Sequence, residues 1–215
     1  MDLLSRVAVL AVIIIIIAGL IFLFIKQNFG NTLCKPPLSS DRAVQCVLSD
    51  LEASNPSANI SVVDVSQSKI SNSSWNIVLS VVYNGTKPCP TLFIEAFDYP
   101  ATGLVPSVDN LYTRNCIIFG LPSESPYFNS SRSPYIAIVR SYNQSNPSIT
   151  NYVSAHGYDN VIVHAKFYSY LDLNTTHLGK QYYNVWLINY SATNAQDSDF
   201  VVMDSSGVIV GNYTK

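Results

Sequence analysis

Chemistry in this chain would have to come from few groups. Its histidines are His156, His164 and His177, and no two stand at the short spacing that presents a pair of ligands to zinc from one helix. His164 falls in an apolar stretch and reads as a packed or surface side chain. Asp197, Asp199 and Asp204 could suggest calcium, but an EF-hand loop alternates its acidic residues and closes on a Glu. Here Phe200-Val201-Val202-Met203 intervenes as a strand, so these aspartates read as turn formers. A Ser-His-Asp triad can be drawn in any serine-rich chain, yet no serine lies in a G-x-S-x-G elbow. Phosphate-binding glycine loops are absent, and a net charge of −2 gives nucleic acid no electrostatic reason to bind. The expectation is a protein that is not an enzyme and carries no cofactor and no metal.

The cysteines are more informative. Cys34, Cys46, Cys89 and Cys116 form an even set at wide spacings, with no C-x-x-C pair among them. That pattern fits two disulfides in an oxidising compartment better than a zinc site. Three connectivities are possible, and the shorter loops favour Cys34 with Cys46 and Cys89 with Cys116. Only 12% of the residues are charged, so solubility must come from Ser, Thr, Asn and Tyr. Eight Asn-x-Ser/Thr glycosylation acceptors occur, at Asn59, Asn72, Asn84, Asn129, Asn143, Asn174, Asn189 and Asn212. Cysteines and acceptors together point to an extracytoplasmic location. The low charge also suits the surface of an archaeon from acidic surroundings, where charged side chains would make stability depend on pH.

Residues 7–25 carry no charge, proline or amide. As a helix they would cross about 28 Å, close to the hydrocarbon thickness of a bilayer. The run is too long for a signal peptide and lacks a small-x-small cleavage site. The expectation is an uncleaved single-pass transmembrane helix holding the rest of the chain at the cell membrane, with lipid as a partner of 7–25. Flanking charge is a poor guide to orientation: Arg6 and the N-terminal amine, offset by Asp2, stand against Lys26 and Lys35. Alone it would mildly favour a cytoplasmic C-terminal domain, but the cysteines and acceptors outweigh it. A minor pilin or accessory subunit of a membrane complex would share this plan, but the chain has Ser5-Arg6 before the run and no Glu before Glu52.

The elements beyond the anchor follow from pattern. After the flank 1–6, the anchor 7–25 and a spacer 26–38, a helix is predicted from Ser39 or Ser40, capped by serine, with Asp41 at the positive end of its dipole. Asn55-Pro56 ends it. Alternating residues predict strands at 60–65, 75–83 and 92–99, with a turn at Asn84-Gly85-Thr86. A first α+β unit thus spans 39–100. An irregular loop, 101–134, is pinned by the expected Cys89–Cys116 bridge. Long loops of this kind often carry function, so Tyr112, Tyr127 and Phe128 are expected to form a binding surface for a protein or peptide of the cell envelope.

A second unit is read at 135–215: an apolar stretch at 135–141, helical spacing at 149–155, and strands at 161–170, 182–190 and 200–210. Trp75-Asn76-Ile77-Val78-Leu79 can be laid over Tyr183-Asn184-Val185-Trp186-Leu187. The predicted fold class is α+β: a transmembrane helix, then a mainly antiparallel domain of two tandem units, each one helix plus three strands. Tyrosines and phenylalanines crowd the second half, either as half-buried core or as a recognition surface.

The closing segment, Tyr183-Asn184-Val185-Trp186 followed by Phe200-Val201-Val202-Met203-Asp204-Ser205-Ser206-Gly207-Val208, resembles the end of a PepSY domain. In that family a Tyr-x-Val strand precedes a strand ending in Asp, a turn with Gly and a final Val. The resemblance covers about 30 residues and implies a cystatin-like helix-on-sheet module, without catalytic residues, that binds or restrains peptidases.

Overall fold

The computed structural model describes residues 34–119, 133–173 and 179–215. The apolar run 7–25 lies outside them. Among the described residues no helix is long and apolar enough to cross a membrane.

The first helix, α1 (Ser40–Ser54), starts where its cap dictates. The Ser39 hydroxyl accepts from the Arg42 N–H at 3.4 Å, and Asp41 sits in the first turn. It stops at Asn55, whose N–H donates to the Leu51 carbonyl at 2.7 Å. The Asn55 side-chain oxygen then receives the Tyr83 hydroxyl at 2.6 Å, which ties the helix end to the sheet beneath.

That sheet is an antiparallel meander of β1 (Ala58–Gln67), β2 (Trp75–Tyr83), β3 (Thr91–Tyr99), β4 (Val108–Arg114) and β5 (Ile117–Ile118), in that spatial order. Strict alternation sends Ile77, Leu79, Phe97 and Tyr99 against Ala43, Cys46 and Val47 of α1. Their neighbours Val78, Val82, Leu92, Ile94 and Ala96 face the opposite way and are buried as well. Ile136 covers that second face. It belongs to α2 (Pro134–Asn143), which begins at Pro134 behind the Ser133 cap.

A second meander follows α3 (Pro147–His156) and a short 3-10 turn. It comprises β6 (Val161–Asp172), β7 (Gln181–Ala192), β8 (Ser198–Asp204) and β9 (Ile209–Thr214). Its packed face, including Val161, Val163, Trp186, Ile188, Tyr190, Val201 and Met203, meets Ala137 and Ile138 of α2 and Ile149, Tyr152 and Val153 of α3. Helix α2 is therefore shared. Ile136 serves the first sheet and Ala137 and Ile138 the second, so the helix is buried nearly all round. Inside this junction the Ser141 hydroxyl lies 2.7 Å from that of the fully buried Tyr190.

These observations correct the predicted fold class. The described chain is mostly antiparallel β in two sheets with three short α-helices, and neither half is one helix plus three strands. The first half has one helix and five strands, the second two helices and four strands. The stretch expected as irregular loop contains β4 and β5, because β4 completes the sheet by pairing Leu111 with Phe93 and Asp109 with Glu95. The single strand expected at 200–210 is two, split by a turn. Asp204 accepts from the Ser206 N–H, the Ser206 hydroxyl and the Val208 N–H at 2.9, 2.6 and 2.9 Å, and Gly207 takes φ 90°. Those bonds, led by the Ser206 hydroxyl, hold the Asp204 carboxyl below its usual range.

Candidate functional site

Where the two sheets meet, the chain leaves a groove of about 520 Å³, within the range of ligand sites. Its floor is apolar, from Val82, Ile138 and Val163. The rim is polar and almost uncharged: Ser57 and Asn59 lead into and begin β1, Asn84 to Thr86 form the turn after β2, and His164 stands on β6. Tyr135, in the first turn of α2, is the aromatic wall.

The local sequence explains this shape. Asn84 adopts φ 53°, and its carbonyl accepts the Lys87 N–H at 2.9 Å, closing the turn. Gly85 lets that turn lie flat under the tyrosine: a Cβ there would stand 3.3 Å from Tyr135 Cε1 and 3.2 Å from Val82 Cγ1. The turn also reaches the second sheet. The Thr86 carbonyl accepts the Val163 N–H at 2.7 Å, and the Lys87 ammonium donates to the Asp159 carbonyl.

The Val163 bond fixes the direction of every backbone group on β6. Strand β6 is an edge of its sheet, paired with β7 on one side. In an antiparallel ladder, N–H groups alternate between the partner and the open side. Since Val163 points away from β7, so do Ala165 and Phe167, whose pairing partners Ile188 and Trp186 keep the same register. Ala165 lines the groove and Phe167 is 38% exposed. Edges of this kind template the pairing of another chain unless charge, proline or a bulge blocks them. From 163 to 168 the strand carries one formally charged residue, Lys166, and no proline.

Among the described residues lining the groove, Tyr135 and His164 are the titratable side chains. His164 is exposed and pairs across the ladder with Asn189. His156 ends α3 with its ring 4.5 Å from that of Tyr152, and His177 lies outside the described residues. Asp199 is buried, takes hydrogen bonds from Ser148 at 2.6 Å and Thr214 at 3.4 Å, and serves to join α3 to β8 and β9. Burial raises its carboxyl pKa against the effect of those bonds. Among the described residues no three His, Cys, Asp or Glu side chains gather as metal ligands would.

The structure joins Cys34 to Cys46 and Cys89 to Cys116. The first bridge fixes the entry of the chain to α1, and the second ties the turn after β2 to the turn after β4. Tyr112, expected on a binding surface, is instead core: it is 1% exposed and packs with Leu92, Ile94 and Ile136. Tyr127 and Phe128 lie outside the described residues. Of the glycosylation candidates, Asn59, Asn72, Asn84, Asn143 and Asn212 are exposed, while Asn189 is half-buried in the interior strand β7. Asn129 and Asn174 lie outside the described residues. The Asn143 amide donates to the Cys116 carbonyl. Two candidates, Asn59 and Asn84, stand on the rim of the groove.

The groove was hidden from the sequence because its residues come from four separate segments. The usable signal was Ser133-Pro134, a cap and first-turn proline that mark α2 and place Tyr135 at its start. Comparison with protein-family models, with curated proteins and with solved structures gives no match to this chain.

Proposed function

We propose that this protein is a non-catalytic binding domain, extracytoplasmic and tethered to the cell membrane through its apolar segment 7–25, that captures an extended peptide segment of another envelope protein. The peptide adds to the open edge of β6 and sets its side chains in the groove. The observation that carries this reading is the Val163-to-Thr86 backbone bond, in which the protein's own loop already makes one rung of such a ladder. Main-chain bonds supply affinity in strand addition, and side-chain pockets supply selectivity. A groove with amide, hydroxyl and imidazole groups around an apolar floor suits uncharged side chains. The two disulfides accord with an oxidising compartment.

The test is selection of a random heptapeptide display library on the full-length protein in detergent, followed by Ala165→Pro. Proline at 165 removes an N–H that does not serve the β6–β7 ladder. Enrichment of strand-forming peptides whose binding falls at least tenfold in the variant supports the reading. Selection of nothing, or of peptides indifferent to the variant, removes it.

A second reading is favoured by α2 and α3 packed on one face of the second antiparallel sheet, and by the Asp204–Gly207 turn within that sheet. Both accord with the PepSY resemblance and with restraint of a co-resident surface peptidase. Full-length protein that leaves every such peptidase at full rate would eliminate it.

A further inference from the structure

We infer that one end of the first sheet, formed by the β1–β2 loop (68–74) and the β3–β4 loop (100–107), rests on the lipid surface and inserts apolar side chains into it. The inference deepens the tether reading above and rests on it.

The antiparallel meander obliges both loops to leave from the same end, because Trp75 pairs with Tyr99. Ser68 binds the two together through its hydroxyl, 2.7 Å from Asp98 Oδ1, and Thr102 N–H returns to the Asp98 carbonyl at 2.8 Å. Cys34, the first described residue after the apolar run, stands at this end. Trp75 Nε1 donates to the Leu38 carbonyl at 2.9 Å, the Tyr99 hydroxyl reaches the Cys34 carbonyl at 3.5 Å, and the Cys34–Cys46 bridge clamps this segment to α1.

Covalent length then limits how far this end can stand from a bilayer. Nine residue steps separate Ile25 from Cys34, and a fully extended chain covers at most about 3.3–3.6 Å per step, so about 30 Å in all. Within that leash the end presents Ile70 at 62% exposure, Val105 at 68% and Leu104 at 39%. Exposure of that degree at three aliphatic side chains is costly in water and favourable in the acyl boundary. Lys35 and Lys69 are exposed beside them and suit anionic headgroups. The carboxylates nearby are Asp41 at the start of α1, the exposed Asp50, which acts electrostatically on Tyr99, and Asp98, which is buried and bound to Ser68 and Asn76. Asn72 is exposed in the same loop, so seating on lipid requires it to be free of glycan.

The experiment uses the full chain in phosphatidylcholine–phosphatidylglycerol vesicles, with a nitroxide on Val105→Cys or, separately, on Ile70→Cys. A label on Val210→Cys, an exposed residue of β9, is the reference. The native cysteines are all paired, so the new thiol takes the label. The inference expects the nitroxides at 105 and 70 to collide several-fold more with oxygen and several-fold less with a water-soluble nickel chelate than the one at 210. Equal nickel access at all three positions, in protein that still floats with the vesicles, overturns the inference and leaves the tether intact. Protein that does not float with vesicles sinks the tether and this inference with it. A glycan found on Asn72 of the native protein overturns the inference alone.

Discussion

The two halves of the molecule solve the same packing problem differently. Both are antiparallel meanders with helices laid against them. The first sheet is covered on both faces, by α1 on one and by α2 on the other, and both disulfides belong to that half. The second sheet has its helices on one face. Its other face is built around Val185 and Val202 under half-buried Tyr168, Leu187 and Tyr213, with no disulfide. A stapled, doubly covered half is a rigid platform. A half with a long open edge strand is where another chain can add, and the shared helix α2 holds that edge beside the groove.

Breaking this contrast should give graded effects. The largest is expected from Phe97→Ala, which empties a fully buried site between α1 and its sheet and should cost about 3–5 kcal/mol in urea unfolding. Leu187→Ala on the less covered face of the second sheet should cost only about 1 kcal/mol. Equal costs would erase the distinction. Next, replacing Cys89 and Cys116 together by serine releases a 27-residue separation, for a loss of about 3–4 kcal/mol by loop entropy. The 12-residue Cys34–Cys46 separation should be worth slightly less, about 3 kcal/mol. Thermal melts of the two double variants rank them. Tyr190→Phe leaves the core intact but removes one of the two hydrogen-bond partners of the Ser141 hydroxyl, the other being the Ile138 carbonyl. It should cost about 1 kcal/mol and leave peptide capture at the β6 edge unchanged.

The smallest effect is one of pH. Burial raises the Asp199 carboxyl above its ordinary pKa of about 3.8, so the folded protein holds that proton more tightly than the unfolded chain does. This group's contribution is then greatest in acid and is lost as pH rises from about 3.8 through the raised value. Asp199→Asn should remove that decline, with urea midpoints gaining on the parent as pH rises through the window. A gap between the two proteins that does not change with pH would place the Asp199 charge outside the folding balance.

Much of the first half was legible from residue pattern. Ser39 and Asn55-Pro56 bracket α1, and alternation marks β2 and β3, because each device acts locally. Failures came where tertiary packing overrode pattern. Val78 and Val82 should face water by alternation, but α2 buries them, and α2 itself has no apolar stripe because two sheets surround it. Strand β4 was hidden by Asp109 and Asn110, turn formers tolerated at its exposed end. Asp204 to Gly207 was recognised as suited to a turn, yet the flanking valines still read as one strand. The groove was invisible for a further reason: its rim comes from residues far apart in sequence, and its key group is a backbone N–H, which no residue type encodes.

The account turns on the edge of β6, and hydrogen exchange of backbone amides on the full-length protein tests it most directly. With a selected peptide bound, the Ala165 and Phe167 amides should become strongly protected. His164 and Lys166, whose N–H groups face β7, should change little from an already slow rate. Protection that arises elsewhere, or falls equally on odd and even positions of the strand, would contradict strand addition.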